Sequence, residues 1–204
     1  MKKETLIDVF VFVIFLVLSF SFPWLVKNTV FDNVLAWTFV FVVPTVVFFG
    51  LRKKKNWKKI LVGSLVFGTL FGAILEFIAH ITRAWQVPNS IFPFRIFGVS
   101  SFEALIFYAP MTLFILVLYE HFFDKDLNHR ISPNVWYAIV PGLITFAAII
   151  IIYFNNLSRL LTSHSYLKMG LATIVPLIWQ IVKRPQLISK YSKLAISIFF
   201  IFFI

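Results

Sequence analysis

The sequence predicts an all-α fold, a polytopic transmembrane helical bundle of about seven segments. Of its 204 residues, 60% are hydrophobic and only 13% are charged, and the mean hydropathy is +0.92. A soluble domain of this length cannot bury so much apolar surface. The apolar runs are long and uninterrupted rather than alternating, which is typical of membrane helices and not of outer-membrane barrels.

Runs of about 20 apolar residues, the length that spans a bilayer, recur along the chain. We predict segments at roughly 5–27, 33–51, 60–82, 102–123, 134–154, 167–182 and 194–204. The first is too long for a signal-peptide core and no small-residue cleavage site follows it, so we expect a retained helix. The seventh runs only eleven residues, about half a bilayer core, so we expect that the sequence is truncated at its C-terminal end.

The basic residues predict the orientation of these segments. Alternate loops divide the 19 Lys and Arg residues unevenly, with only five on one side: Lys27, Arg83, Arg95, Arg159 and Lys168. The positive-inside rule therefore places the N-terminus in the cytoplasm. Because the cations follow the ends of apolar segments, the net charge of +11 indicates topology and not a nucleic-acid partner.

A faint internal repeat divides the single transmembrane domain, 1–204. Val43-Pro44 followed by a basic stretch recurs as Val175-Pro176 followed by basic residues, with an offset of 132 residues. This pattern predicts two parallel repeats of four helices. The first unit covers 1–130, and the second, 131–204, is incomplete.

Two glutamates flank one loop between the third and fourth segments. Glu76 lies nine residues before Trp85, and Glu103 lies eighteen residues after it. Glu76, His80 and Arg83 are spaced i, i+4 and i+7, so one helix face is predicted to carry all three. Since the chain has only eight acidic residues, a carboxyl at the end of a bilayer-length helix indicates a functional site.

Aromatic residues surround these carboxyls in the sequence. We expect Trp85, Phe94, Phe97, Phe107 and Tyr108 to bind an apolar substrate together with His80 and Arg83. A protonated carboxyl can act as a general acid, and aromatic faces stabilise a passing carbocation. Such a reaction requires no cofactor, and the sequence offers neither cysteines nor a metal-ligand motif.

Structural interpretations of the same residues stay open. Ser100 and Glu103 have the spacing of a capping box, and Glu76 could form a structural ion pair with Arg83 or His80. The aromatic residues could form an interfacial belt. At the other end of the fourth segment, Glu120, His121 and Asp124 are expected to be solvated.

Over residues 75–123 the chain resembles the lycopene cyclase domain family, small membrane cyclases found as heterodimers or fused halves in bacteria, archaea and fungi. Glu76, Trp85 and Glu103 match the family's spacing of acid, tryptophan and second acid without gaps. The stretch from Phe102 to Tyr108 is similar to the family's Glu-Glu-x-x-Phe segment. Ser101 and Ala104 depart from the family's Pro and second Glu, and Phe94 replaces a loop glycine.

The resemblance implies a cofactor-independent cyclisation of the end of a linear carotenoid. It implies Glu103 as acid or base, Glu76 as its partner or proton relay, and Trp85 as cation stabiliser. It also implies a multi-pass protein of a prokaryotic plasma membrane, in contact with lipid and an apolar isoprenoid, as a homo- or heterodimer. Because Ala104 removes one acid, a catalytically silent binder or a transporter stays an alternative, as does a carotenoid hydratase.

Overall fold

The computed structural model describes residues 3–29, 56–85, 87, 90–124, 131 and 133–161, with scattered residues elsewhere. It is mostly helical, as predicted. The segments 33–51, 167–182 and 194–204 lie largely outside the described residues, and the Val-Pro pairs of the repeat lie wholly outside them. The seven-segment count and the two-repeat organisation therefore stay predictions.

Four helices match predicted segments to within a few residues. These are α1 (Lys3–Val26), α2 (Trp57–Ile81), α3 (Phe102–Tyr119) and α4 (Trp136–Asn155). A π-helical turn, Glu120–Asp124, extends α3, and short 3₁₀ turns, Pro133–Val135 and Leu157–Arg159, flank α4. Among the described residues, α2 and α3 are each long and apolar enough to cross a membrane.

Helices α2 and α3 form a close antiparallel pair. Gly63 faces Leu116, Gly68 faces Ala109 and Gly72 faces Tyr108. Residue numbers therefore increase along α2 as they decrease along the contacting face of α3, which makes the two helices antiparallel. A Cβ on Gly68 would lie 2.6 Å from the Ala109 Cα atom. Only a glycine permits this approach, which is how small residues bring apolar helices together where the hydrophobic effect between them is weak.

A π-helical segment in the middle of α2, Ser64–Phe71, sets this contact face. Its hydrogen bonds reach one residue further than those of an α-helix, which widens the turn. Gly63 and Gly68, five positions apart, can therefore both face α3. The Ser64 hydroxyl donates to the Ala109 carbonyl at 2.5 Å, one residue before Pro110, whose ring removes a backbone donor from α3.

The other two helices pack against this pair at two separate clusters. In the first, Phe15 of α1 contacts Phe114 of α3 edge to face, together with Val11, Ile60, Val117 and Leu118. In the second, Phe77 of α2 lies between Phe146 and Tyr153 of α4. The contacts make α1 and α4 run parallel to α2 and antiparallel to α3.

A β-hairpin interrupts the otherwise helical fold between α2 and α3. Its strands are β1 (Arg95–Ile96) and β2 (Ser100–Ser101), paired antiparallel with Ile96 opposite Ser100. The turn places Phe97 and Gly98 at positive φ, 52° and 71°. The sequence predicted only a loop here. The hairpin brings the chain back so that α3 begins beside the end of α2.

Candidate functional site

Glu76 is the centre of a buried polar group at the end of α2. Its side chain is only 1% exposed. Its Oε2 atom accepts from the Trp85 indole Nε1 at 2.9 Å and from the Tyr108 hydroxyl at 3.0 Å. We name Glu76, His80, Trp85 and Tyr108 the Glu76 cluster. Two of its members come from α2, one from the loop and one from α3.

His80 completes the Glu76 cluster one helical turn further along. Its Nδ1 atom lies 2.8 Å from Glu76 Oε1, an ion-pair distance, and 3.3 Å from the Glu76 main-chain oxygen. Glu76 Oε1 and His80 Nε2 are both buried without a hydrogen bond among the described residues. Each of the two side chains therefore has one buried polar atom that could still form a hydrogen bond.

Glu103 has a different set of partners, although its side chain is also 1% exposed. The Ser90 hydroxyl lies 2.8 Å from both carboxylate oxygens, and the Phe92 main-chain N–H donates at 2.9 Å. Both partners belong to the loop. Glu103 thus fastens the loop to the first turn of α3, and its hydrogen bonds to Ser90 and Phe92 differ from those of Glu76 to Trp85 and Tyr108.

The predicted capping box of Ser100 and Glu103 is wrong. Ser101 is the N-cap of α3, and its hydroxyl accepts from the Ala104 N–H at 3.4 Å. A capping box requires the acid three residues after the cap, and Glu103 is only two residues after Ser101. Ser100 is buried beside it with its hydroxyl unpaired among the described residues.

Arg83 does not share the helix face of Glu76 and His80, because α2 ends at Ile81. Arg83 has φ of 56° and is exposed. Its N–H bonds the His80 carbonyl at 3.2 Å, and the Ala84 N–H bonds the Ala79 carbonyl at 2.8 Å. This is the Schellman pattern that ends helices, so the predicted i+7 position of Arg83 is wrong.

The predicted aromatic residues divide into three places. Tyr108 lies in the Glu76 cluster, and Phe107 contacts its ring with centroids 5.8 Å apart. Phe94 lies by Glu103, packed on Phe92 and Phe102. Phe97 packs on Phe77 and Phe154. Phe94 and Phe97 remain 53% and 44% exposed, so the structure brings only Trp85 and Tyr108 onto a carboxyl.

Sequence reasoning missed a third buried carboxyl, which lies at the opposite end of the helix pair from Glu76 and Glu103. Glu120 is 4% exposed, so its predicted solvation is wrong. Asn56 donates to Glu120 Oε2 at 2.8 Å, and the Lys59 ammonium pairs with Oε1. We name these three residues the Glu120 cluster. Beside it, His121 pairs with Asp8 of α1 at 2.9 Å. No sequence spacing links positions 56 and 120, so only packing shows this pair.

A cavity of about 390 Å³ lies between α2, α4 and the segment that follows α4. Its apolar wall includes Ile78, Ile81, Ile149 and Leu160. Two cationic residues, Arg159 and Lys168, also line it. Neither Glu76 nor Glu103 lines it. Within the described part of the chain, no three His, Cys, Asp or Glu side chains converge as a metal site.

Together these features define a helical protein with two membrane-length apolar helices and buried glutamates at both ends of the pair. Comparison with protein-family models, with curated proteins and with solved structures finds no match.

Proposed function

We propose that the chain is a multi-pass membrane enzyme that cyclises the end of a linear carotenoid or related isoprenoid by acid catalysis, as the lycopene cyclase domain family does. The observation that carries the proposal is the Glu76 carboxyl. It is buried in an apolar helix pair, and its partners are neutral donors and one histidine. Ionisable groups kept in such places are expensive and are retained for function.

The Glu76 cluster has the parts that the reaction requires. Trp85 and Tyr108 donate to Oε2 and so orient the carboxyl, leaving Oε1 to carry the proton. Glu76 donates that proton to the terminal alkene, and the neighbouring double bond attacks the resulting cation to close a six-membered ring. Loss of a proton from the adjacent carbon leaves a ring alkene with no change in redox state. The Trp85 and Tyr108 rings stabilise the cation.

His80 completes the proton balance. With Nδ1 beside Glu76 Oε1, its imidazole can hold the proton between turnovers and return it to the acid. Its second nitrogen, Nε2, is buried and unbonded within the described residues. In this proposal Nε2 accepts the proton lost from the substrate carbon while Nδ1 returns a proton to the Glu76 carboxylate, so both residues end the turnover as they began it.

In this proposal Glu76 is the acid, and Glu103 is a positioning residue. Both Glu103 oxygens are engaged by the Ser90 hydroxyl, and Oε1 also accepts from Phe92 N–H. These bonds hold the loop that carries Trp85 toward Glu76. The family resemblance implied the reverse order of importance for the two acids.

The proposed location is the plasma membrane of a prokaryote. Helices α2 and α3 supply the membrane-length apolar segments, and the uneven distribution of Lys and Arg supports a cytoplasmic N-terminus. The Glu76 cluster then lies near the outer face and the Glu120 cluster near the cytoplasm. A substrate dissolved in the bilayer would approach the pair from the side.

The test is expression of the full chain in a lycopene-accumulating bacterial host, with chromatography of the extracted pigments. One- or two-ringed carotenes should form with the native chain and disappear with Glu76→Gln. Membrane levels of each variant are measured by immunoblot. Unchanged lycopene with the native chain present in the membrane would overturn the proposal.

A second candidate is an isoprenoid-binding protein without turnover. The observation that favours it is Ala104, which is buried where the resembled family carries a second acid, next to a Glu103 already satisfied by the loop. Lycopene that copurifies unchanged with the native protein, and less with Trp85→Ala, would support the binder over the enzyme.

A further inference from the structure

We propose that Gly72 is a positioning residue of the Glu76 cluster: its missing side chain leaves the space in which the Tyr108 ring lies, so that the Tyr108 hydroxyl reaches the Glu76 carboxyl. The effect of Gly72 on catalysis rests on the proposed cyclase function. The contact between Gly72 and Tyr108 does not, because it belongs to the packing of α2 against α3 and can be measured without turnover.

The Tyr108 ring lies directly on the backbone of Gly72. A Cβ atom added to Gly72 would lie 2.5 Å from Tyr108 Cβ, 2.6 Å from Cγ and 3.1 Å from Cδ2. Carbon atoms in favourable contact lie about 3.5–4.0 Å apart, so even a methyl group does not fit while Tyr108 keeps its place. Because Tyr108 Cβ is attached to the α3 backbone, the whole ring or the helix itself must move to relieve the collision.

The conformation of the helix gives no other reason for a glycine at this position. Gly72 has φ of −59° and ψ of −42°, which are ordinary α-helical values. Alanine would form the helix better than glycine does. Gly72 is also buried. The space that it leaves for Tyr108 is therefore what this glycine contributes.

Helix geometry connects Gly72 to the candidate acid. Gly72 and Glu76 are four residues apart, so they share one face of α2 and are separated by about 6 Å along its axis. The Tyr108 side chain spans this one turn: its base lies on Gly72, and its hydroxyl lies 3.0 Å from Glu76 Oε2. The ring is therefore aimed along α2 at the carboxyl.

A displaced ring would change the carboxyl that carries the proton. Oε2 of Glu76 accepts from the Trp85 indole and from the Tyr108 hydroxyl, and in the proposed reaction these bonds leave Oε1 to carry the proton. Without the Tyr108 hydroxyl, the carboxyl keeps only the Trp85 bond of these two. The aromatic face of Tyr108 would also leave the place where it stabilises a cation. Gly72 thus acts on the reaction through Tyr108.

The first test measures the Tyr108 hydrogen bond itself. The full chain is purified in detergent with its tyrosines isotopically labelled at Cζ, and the Tyr108 signal is identified in NMR spectra by its absence from Tyr108→Phe. We expect Gly72→Ala to shift this signal. Gly63→Ala is the matched control on the same helix face, because its added Cβ would meet only the flexible Leu116 Cδ1 atom, at 2.9 Å. An unshifted Tyr108 signal in folded Gly72→Ala would overturn the proposal.

The second test separates positioning from helix packing. In the lycopene-accumulating host, Gly72→Ala should lower product per folded molecule about twofold to tenfold, as expected for one lost hydrogen bond, and Gly63→Ala should not. In a Tyr108→Ala background, Gly72→Ala should cause no further loss, because the residue through which it acts is gone. An equal loss in both backgrounds would show that Gly72 acts by another route and would overturn the proposal.

A double variant covers the case in which Gly72→Ala alone does not fold. Gly72→Ala/Tyr108→Ala removes the ring that the new methyl group meets, so folded protein should be recovered, and no recovery would overturn the proposal. A shifted Tyr108 signal in Gly72→Ala, together with no ring product from the native chain, would support the placement of Tyr108 by Gly72 and overturn only the cyclase function.

Discussion

Glu76 and Glu120 are both buried glutamates, at opposite ends of the same antiparallel helix pair, yet their surroundings differ in kind. Glu120 is paired with the Lys59 ammonium and the Asn56 amide. Glu76 is paired with two neutral donors and with the imidazole of His80. Glu120 thus lies beside a lysine ammonium, whereas Glu76 lies beside a histidine and two neutral donors.

Burial alone therefore does not identify a functional acid, because Glu76 and Glu120 are both buried but have different partners. The Glu120 cluster has its charges compensated and joins the start of α2 to the end of α3. The Glu76 cluster leaves His80 Nε2 and Glu76 Oε1 without a hydrogen bond among the described residues. A buried donor or acceptor without a hydrogen bond lowers the stability of the fold. This loss of stability is expected at a site that must bind a ligand or transfer a proton.

The largest expected effect is on turnover. Glu76→Gln should lower carotene production at least about 100-fold, because a general acid contributes that much or more to the rate. Thermal stability in detergent should change little, since the amide oxygen still accepts from Trp85 and Tyr108. Pigment chromatography and a melting curve measure the two effects. Product formation at the native level by this variant would contradict the assignment of Glu76 as the general acid.

Glu120→Ala should have the opposite profile. It removes the acceptor shared by Lys59 and Asn56, and a loss of about 2–3 kcal/mol in unfolding free energy is expected, reduced because Lys59 is partly exposed. Product formed per folded molecule should remain normal. Replacing both partners, Lys59→Met with Glu120→Leu, should recover most of the stability. A folded Glu120→Ala protein that makes no product would contradict the structural role.

Gly68→Ala tests the helix contact that lies between the two clusters. The added methyl carbon would meet the Ala109 backbone, and a loss of about 1–3 kcal/mol is expected. Gly170→Ala is the control, because no heavy atom lies within 4 Å of its added Cβ among the described residues. Equal melting temperatures for both variants would show that α2 and α3 are not packed as closely as described.

Tyr108→Phe tests the role of the tyrosine hydroxyl by removing one hydrogen-bond donor to Glu76. One lost hydrogen bond of about 0.5–1.5 kcal/mol should slow product formation roughly twofold to tenfold. The control is Tyr153→Phe, since Tyr153 contacts Phe77 and Phe154 through its ring. Initial rates of pigment formation at matched protein levels distinguish them. An unaffected Tyr108→Phe rate would remove the hydroxyl from the mechanism.

Arg83→Gly should have the smallest effect and the opposite sign. A left-handed conformation costs a non-glycine residue about 1 kcal/mol, so glycine should raise the melting temperature slightly. Thr82→Gly, at φ of −82°, should lower it. If Arg83→Gly instead abolishes product while the protein remains folded, the substrate-binding role predicted from sequence would be restored.

The sequence predicted the four described helices because apolar run length and breaker residues are local signals. It also placed Glu76, His80 and Trp85 near one another, since i+4 spacing and a short loop limit their separation. It was wrong about Arg83, because nothing in the spacing shows that the helix ends two residues earlier. It was wrong about Ser100, because the hairpin shifted the helix cap to Ser101.

By itself, then, the sequence determined the helical class, the apolar character and the loop that carries the candidate acid. The tertiary structure decided which carboxyl meets which partner. Tyr108 reaches Glu76 and Asn56 reaches Glu120 only because the glycine face of α2 brings α3 against it in antiparallel register. Contacts across 32 and 64 residues depend on that register, which no local pattern encodes.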